Sequence, residues 1–293
     1  MDRLEATIAG FPAETRILVE RLLARDHNLI GDLGRTTLLV HPAVRPTAVV
    51  LFHGLSASPA QFARFAAELH EHGHNVIVPR LPHHGHRDRL STALERLTAD
   101  ELRATAVQSV ELASRLGERV VVAGFSLGGL LTTWVAQRES LHRAVAIAPF
   151  LGVSMVPNRW MSPLAELMLR LPNRFPWWDP IARERQLPEH GYPRYATHAL
   201  AHAYRLARDV LNEATIRAPR TTDLVFVTNA REAAVNNRAV FRIVEQLRAH
   251  RSANVRHIEL TGLPLSHDVI EPLRHPNLAD RVFPQLLSII EGA

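Results

Sequence analysis

Cysteine and lysine are both missing from this chain of 293 residues. Without cysteine there is no disulfide framework, no thiol nucleophile and no thiolate metal site. Without lysine, the 34 basic side chains are all arginine, spread among 29 acids. They form no basic tail and no patch interleaved with aromatics, so the net charge of +5 does not indicate nucleic acid as a partner; it modestly favours anionic surfaces or substrates. Long apolar runs are also lacking, and none approaches the length of a membrane span. The N-terminal residues Met1-Asp2-Arg3-Leu4-Glu5-Ala6 are too mixed in charge for a signal peptide, so the expected location is the cytoplasm. What remains, 46% hydrophobic and 22% charged, is the composition of an ordinary globular protein able to bury a full core.

One motif stands out in this composition. Gly124-Phe125-Ser126-Leu127-Gly128 follows the apolar run Arg119-Val120-Val121-Val122-Ala123 and precedes Gly129-Leu130-Leu131-Thr132-Thr133-Trp134-Val135-Ala136. A strand, a sharp turn and a helix would lift the Ser126 hydroxyl clear of a sheet, the arrangement of a nucleophile elbow. A Cβ at either flanking glycine would crowd that turn. The next backbone N–H, on Leu127, then lies at a helix start, where an oxyanion can bind.

The surrounding periodicity fits that reading. Apolar positions at helical spacing over 3–25, broken by Pro12, predict N-terminal helices. Strands are expected at 36–40, 48–52, 75–78, 119–125, 144–148, 223–228 and 255–260. Helices are expected at 61–70, 98–116, 127–137, 237–250 and 276–290. Short β-branched runs alternating with amphipathic helices imply crossovers and a mainly parallel sheet. The alternation stops near Pro149, and 150–215 reads as a helical insertion rich in proline and aromatics. The expectation is one α/β core, 1–149 and 216–293, with this cap inserted after the sixth strand.

A nucleophilic serine needs a base, an acid to orient the base, and donors for the developing oxyanion. His267, in the loop after the last strand, is the candidate base; His275 comes later, directly before Pro276. Glu232 is the only carboxylate in the loop after the 223–228 strand and is the candidate acid. Asp223 lies at the wrong end of that strand, Asp268 is adjacent to His267 and poorly placed to reach its ring, and Ala148-Pro149-Phe150 offers no acid. The second oxyanion donor is assigned to Leu55, after Val49-Val50-Leu51-Phe52-His53-Gly54, with Gly54 allowing close approach to the nucleophile. His53 is expected at the substrate site as a prop for this loop. Trp160 and Trp177, in an unusually apolar part of the cap, are expected to line an acyl pocket or a lid, and the cap is where weak contact with a membrane surface would occur.

Two histidine groups, His70/His72/His74 and His83/His84/His86, lack a carboxylate in register for a metal site, and His198/His202 lack the glutamate of a zinc helix. No metal or cofactor is therefore expected.

Together, Leu51-Phe52-His53-Gly54, the helix start at 59–62, Val78-Pro79-Arg80-Leu81-Pro82-His83-His84-Gly85-His86, Gly124–Gly129, the loop with Glu232 and Val235, and Ser266-His267-Asp268 resemble the monoacylglycerol lipase and serine aminopeptidase-like branch of the α/β-hydrolases, which includes bacterial carboxylesterases. The resemblance covers 36–145 and 220–290. It implies an α/β-hydrolase fold and hydrolysis of a small-molecule or lipid-like carboxylic ester through an acyl-enzyme. Amide, thioester or C–C cleavage, acyl transfer, and a non-catalytic binding role are the alternatives. The sequence departs from the family in carrying glutamate rather than aspartate as the acid, and His83-His84 before Gly85.

Overall fold

The computed structural model describes residues 2–154, 156–186 and 188–292. Its centre is a seven-stranded sheet made of β1 (Thr37–Leu39), β2 (Arg45–Phe52), β3 (Asn75–Val78), β4 (Gly117–Phe125), β5 (Arg143–Ile147), β6 (Asp223–Asn229) and β7 (Asn254–Leu260). The spatial order is β1-β3-β2-β4-β5-β6-β7. β1 runs antiparallel to β3, and every other pairing is parallel.

Helices α1 (Asp2–Ile8) and α2 (Ala13–Leu23) precede the sheet. α3 (Ala63–Glu71), α4 (Ala99–Leu116), α5 (Leu127–Arg138), α8 (Asn237–Ala249) and α9 (Pro276–Glu291) flank it, and α6 (Met161–Arg170) and α7 (Thr197–Ile216) belong to the insertion. Helices on both faces leave the central strands no solvent side, which is why Val49, Val50, Leu51 and Phe52 are all fully buried and read as an unbroken apolar run. The start of α4 is fixed by a reciprocal cap, with the Thr98 side chain accepting from the Glu101 N–H and Glu101 accepting from the Thr98 N–H.

The strand order reverses at β2. Its neighbours are β3 on one side and β4 on the other, so a crevice opens beyond the carboxyl ends of β2 and β4. The register pairs Leu51 with Ala123 and Phe52 with Gly124. That alignment sets the loop from His53 directly beside Ser126.

The insertion differs from the sequence expectation in two ways. It leaves after β5, the fifth strand and not the sixth, since 36–40, 48–52, 75–78, 119–125 and 144–148 correspond to β1–β5 with no further strand among the described residues before it. It is also not helical throughout. Between α6 and α7 the described residues are mostly irregular, with one short 3-10 turn (Arg183–Arg185) and a bridge between Trp177 and Arg194. No helix among the described residues is long and apolar enough to cross a membrane.

Candidate active site

Ser126 sits at the tip of the turn between β4 and α5 with φ 55° and ψ −111°, a strained conformation for a residue with a side chain. The surrounding backbone holds it there. Its N–H donates to the Ile147 carbonyl at 2.9 Å, and its carbonyl accepts from the N–H groups of Leu130 (2.9 Å) and Phe150 (3.0 Å). The flanking glycines supply space: a Cβ on Gly124 would lie 2.3 Å from the Gly128 carbonyl oxygen, and one on Gly128 only 1.8 Å from that of Phe52. Helix α5 can start this close to β2 and β4 only without those carbons.

His267 reaches Ser126 from the loop after β7. Its Nε2 lies 2.9 Å from Ser126 Oγ, and its Nδ1 lies 2.9 Å from Glu232 Oε2. With the Nδ1 proton directed at the carboxylate, Nε2 is the acceptor for the serine hydroxyl. The Phe125 ring packs 4.8 Å from the imidazole, centroid to centroid, and limits its rotation.

The Glu232 side chain is fully buried, and its other oxygen accepts from the N–H groups of Ala234 (2.7 Å) and Val235 (3.3 Å). Burial pushes its pKa up, but the hydrogen bond and charge of His267 and these two amides outweigh that, and the net displacement is downward. Glu232 is therefore held as a carboxylate at neutral pH. Asn229, at the end of β6, was not anticipated as a site residue. Its Nδ2 donates to the carbonyls of Pro264 (3.1 Å) and Ser266 (2.8 Å), tying the acid's loop to the histidine's loop.

The competing groups are occupied elsewhere. Asp223 pairs with Arg143 at 2.6 Å, His275 faces Ser266 Oγ, and Asp268 accepts from Gln61 Nε2 at 3.1 Å. The same Gln61 accepts the Gly54 N–H at 2.9 Å through Oε1, which couples the Leu55 loop to the histidine loop.

Leu55 and Leu127 both line the cavity at Ser126, and neither amide N–H has a hydrogen-bond acceptor among the described residues. Gly54 approaches closely, since a Cβ there would lie 3.7 Å from that of Ser126. His53 is absent from the cavity wall, a correction to its expected place at the substrate site. Fully buried, it donates from Nδ1 to the Gly54 carbonyl (3.0 Å), while Nε2 accepts the Leu81 N–H (3.1 Å). Burial, followed by the nearby His84, holds its pKa well below the usual value, so this prop is a neutral imidazole.

The cavity has a volume of about 400 Å³. Phe150, Val153, Leu200 and Val235 give it an apolar floor, and Trp178, Tyr192 and Tyr195 come from the irregular part of the insertion. Neither expected tryptophan lines it. Trp160 is 55% exposed, and the indole in the wall belongs to Trp178, not Trp177. Successive residues of an extended chain face opposite ways, and Trp178 is the one turned inward, its Nε1–H donating to Ser56 Oγ at 3.1 Å.

Two further ties hold the insertion to the core. Arg89 donates to the carbonyls of Gly191 (2.9 Å), Glu184 (3.2 Å), Gln186 (2.6 Å) and Pro188 (3.2 Å). His190 Nε2 lies 2.7 Å from Glu271 Oε2, with both side chains 1% exposed, while Nδ1 lies 3.2 Å from Ser58 Oγ.

Among the histidines weighed as metal ligands, His72 and His74 bond Glu291, His198 bonds the Leu171 carbonyl and His202 accepts the Ala99 N–H.

A model of the alpha/beta hydrolase family matches residues 49–278. No curated protein matches the chain by sequence. Among solved structures, the fold is similar to that of the metagenome-derived lipolytic enzymes LipS and LipT (TM-score 0.66, 17% identity, covering 90% of this chain and 100% of the other). It is also similar to a monoacylglycerol lipase from Paleococcus ferrophilus (TM-score 0.64, 18% identity, 86% and 98% covered). A soluble variant of monoglyceride lipase from Saccharomyces cerevisiae, in complex with a substrate analogue, gives a TM-score of 0.68 at 12% identity, with 88% and 91% covered.

Proposed function

This chain belongs to the alpha/beta hydrolase family, and we propose that within it the protein is a serine carboxylic-ester hydrolase acting through an acyl-enzyme. The observation that carries the reading is the unbroken chain Ser126 Oγ–His267–Glu232, with both contacts at 2.9 Å, ending beside two unengaged amides.

In the first half-reaction Ser126 Oγ attacks the ester carbonyl while His267 Nε2 takes its proton. Glu232 keeps the imidazole in the productive tautomer and stabilises the imidazolium. The carbonyl oxygen becomes an oxyanion bound by the Leu55 and Leu127 N–H groups, the kind of electrostatic stabilisation that contributes most to acyl transfer. His267 then gives its proton to the departing alcohol. Water, deprotonated by the same histidine, cleaves the acyl-enzyme by the reverse sequence.

The substrate class follows from the walls. Apolar rings and aliphatic side chains beside Ser126 suit a short or medium acyl chain or a monoacylglycerol-like lipid. The insertion, 150–215, acts as the cap that excludes water from the acyl chain, and its exposed Trp160, Leu167, Leu171 and Ile181 are where weak contact with a lipid surface would be made.

Burst-phase hydrolysis of p-nitrophenyl butyrate and octanoate tests the reading. The expected result is a burst of one equivalent per chain in the wild type that vanishes in Ser126→Ala. Absence of both a burst and fluorophosphonate labelling in folded wild-type protein would overturn it.

A further inference from the structure

A second cavity, of about 440 Å³, lies apart from Ser126, between the turn after α2, the loop after β3 and the start of α4. Its wall carries Arg25, Arg80, Arg96, His27, His83 and His86 against a single carboxylate, Glu101. That carboxylate is already engaged, accepting from Thr98 and lying 3.0 Å from His83 Nε2.

The guanidiniums are unequally neutralised. Arg80 pairs with Asp26 at 2.8 Å and spends its remaining donors on the carbonyls of His84 and Arg25. Arg25 donates to the side chains of Thr105 and Gln108, both uncharged. Arg96 has no hydrogen bond or ion pair among the described residues. The local field is correspondingly positive. Burial lowers the pKa of His86, and His27, Arg80, Arg96 and His83 all lower it further; burial and then Arg80 lower that of Arg25. A concentration of like charge on rigid elements is costly unless a counter-charge is brought to it.

The wall is also built rather than incidental. His83 is held at φ 64°, an uncommon conformation for a non-glycine residue. The Tyr192 hydroxyl fixes it, donating to the His83 carbonyl at 3.0 Å and accepting the His86 N–H at 2.9 Å.

We propose that this cavity is a binding site for a small phosphate-bearing ligand, gripped by Arg25 and Arg96 and flanked by His83 and His86, with the buried Arg80–Asp26 pair behind them. Guanidiniums approaching from two separate segments match different oxygens of a tetrahedral dianion, Arg96 with its whole fork unengaged and Arg25 with the N–H donors that Thr105 and Gln108 leave over. A lone carboxylate presents one planar edge and would engage one fork. The apolar Pro82 and Ala104 give an organic substituent somewhere to rest. Tyr192 lines the catalytic cavity, so its hydroxyl links that cavity to the backbone of His83 and His86.

Isothermal titration at fixed ionic strength, with inorganic phosphate and with glycerol 3-phosphate, tests the proposal against a matched chloride blank. Saturable binding is expected in the wild type and equally after Ser126 has been labelled with a bulky fluorophosphonate, which fills the catalytic cavity and so separates the two sites. Arg96→Glu, at an exposed position without partners, keeps the fold by circular dichroism and should weaken binding by about tenfold or more, the order lost with one charge-assisted contact. Tighter binding of glycerol 3-phosphate would identify an organic monoester as the ligand, and equal affinities the phosphate ion. Heats that never saturate, or an unchanged affinity in Arg96→Glu, would overturn the proposal.

Discussion

The two sides of the catalytic cavity are held by different means. On the core side, Ser126, Glu232 and His267 stand at the carboxyl ends of strands or just beyond them, and main-chain contacts place them: the ladder that sets Phe52 beside Gly124, the Ser126 amide on Ile147, the backbone packing at Gly128. On the cap side, the Tyr192 N–H reaches the Ser56 carbonyl at 2.7 Å, but Trp178 and the described residues of 184–191 are suspended chiefly from side chains, those of Arg89, Ser56 and His190. Under the proposed function, chemistry would fall to the part held by the main chain, and recognition to a part that single substitutions can re-hang.

This division makes core-side changes severe. Ser126→Ala should lower kcat by roughly 10⁵–10⁶-fold while leaving the melting temperature near that of the wild type, since a small buried hydroxyl is exchanged for a methyl. A residual activity above about one per cent would mean that another nucleophile operates. Glu232→Gln should cost roughly 10⁴-fold in kcat by losing the charge that orients the imidazole, whereas Glu232→Asp should recover part of it. Equal rates for Gln and Glu would remove Glu232 from the triad.

Gly128→Ala tests the backbone side of the comparison. A methyl group 1.8 Å from the Phe52 oxygen forces α5 and β2 apart, and a loss of about 3 kcal/mol or more is expected by urea denaturation. A midpoint unchanged from the wild type would show that α5 is not clamped there.

Acid should loosen the same region. Burial holds His84 at a pKa of about 3 and His53 well below its ordinary value. Below pH about 6.5 the unfolded chain therefore binds protons that the folded one refuses. The stability due to these imidazoles is full above that pH and is lost as pH falls towards about 3, at roughly 1.4 kcal/mol per pH unit for each. Buried Asp268, its pKa raised first by burial and then by Glu271, works in the opposite sense, so the slope reports the difference. Urea midpoints at pH 7 and pH 5 in the wild type and in His84→Gln read this, the substitution being expected to shift the dependence by the His84 share; the same dependence in both proteins would remove His84 from the account.

The smallest effect is expected on the cap side. Arg89→Met releases four carbonyls but no catalytic group, so kcat/KM should fall about tenfold through KM with kcat almost unchanged. A fall in kcat at constant KM would break the comparison, because Arg89 would then be acting on the chemistry.

Legibility in the sequence follows the same line. Strands buried on both faces must be apolar throughout, so Val120–Ala123 and Val49–Phe52 announce themselves. Glu232 could be named because it is the only acid in its loop, and the geometry brings it to His267. The segment between Leu171 and Ala196 has no period to read. Its shape depends on Arg89, about a hundred positions away, reaching four carbonyls, and on His190 meeting Glu271. Long-range pairings of that kind leave no local trace, and for the same reason Trp177 and Trp178 could not be told apart by adjacency alone. Asn229 carried a weak signal, as an amide ending a strand just before the acid's turn.

Helix α7 carries a consequence for traffic into the cavity. Its 20 residues make a rod of about 30 Å. One end is bolted to α5, through Gln137 Nε2 on the Val210 carbonyl and the Arg138–Glu213 pair. The middle bears α6, braced by Arg205 on Glu166. The rod cannot swing without disturbing the helix that begins at the nucleophile, so α6 and α7 form a doorpost, and the door is the irregular stretch between them. Hydrogen exchange should find amides in the described part of 171–196 opening well before those of α7, so that admission to the cavity would be governed by that stretch and not by the rod.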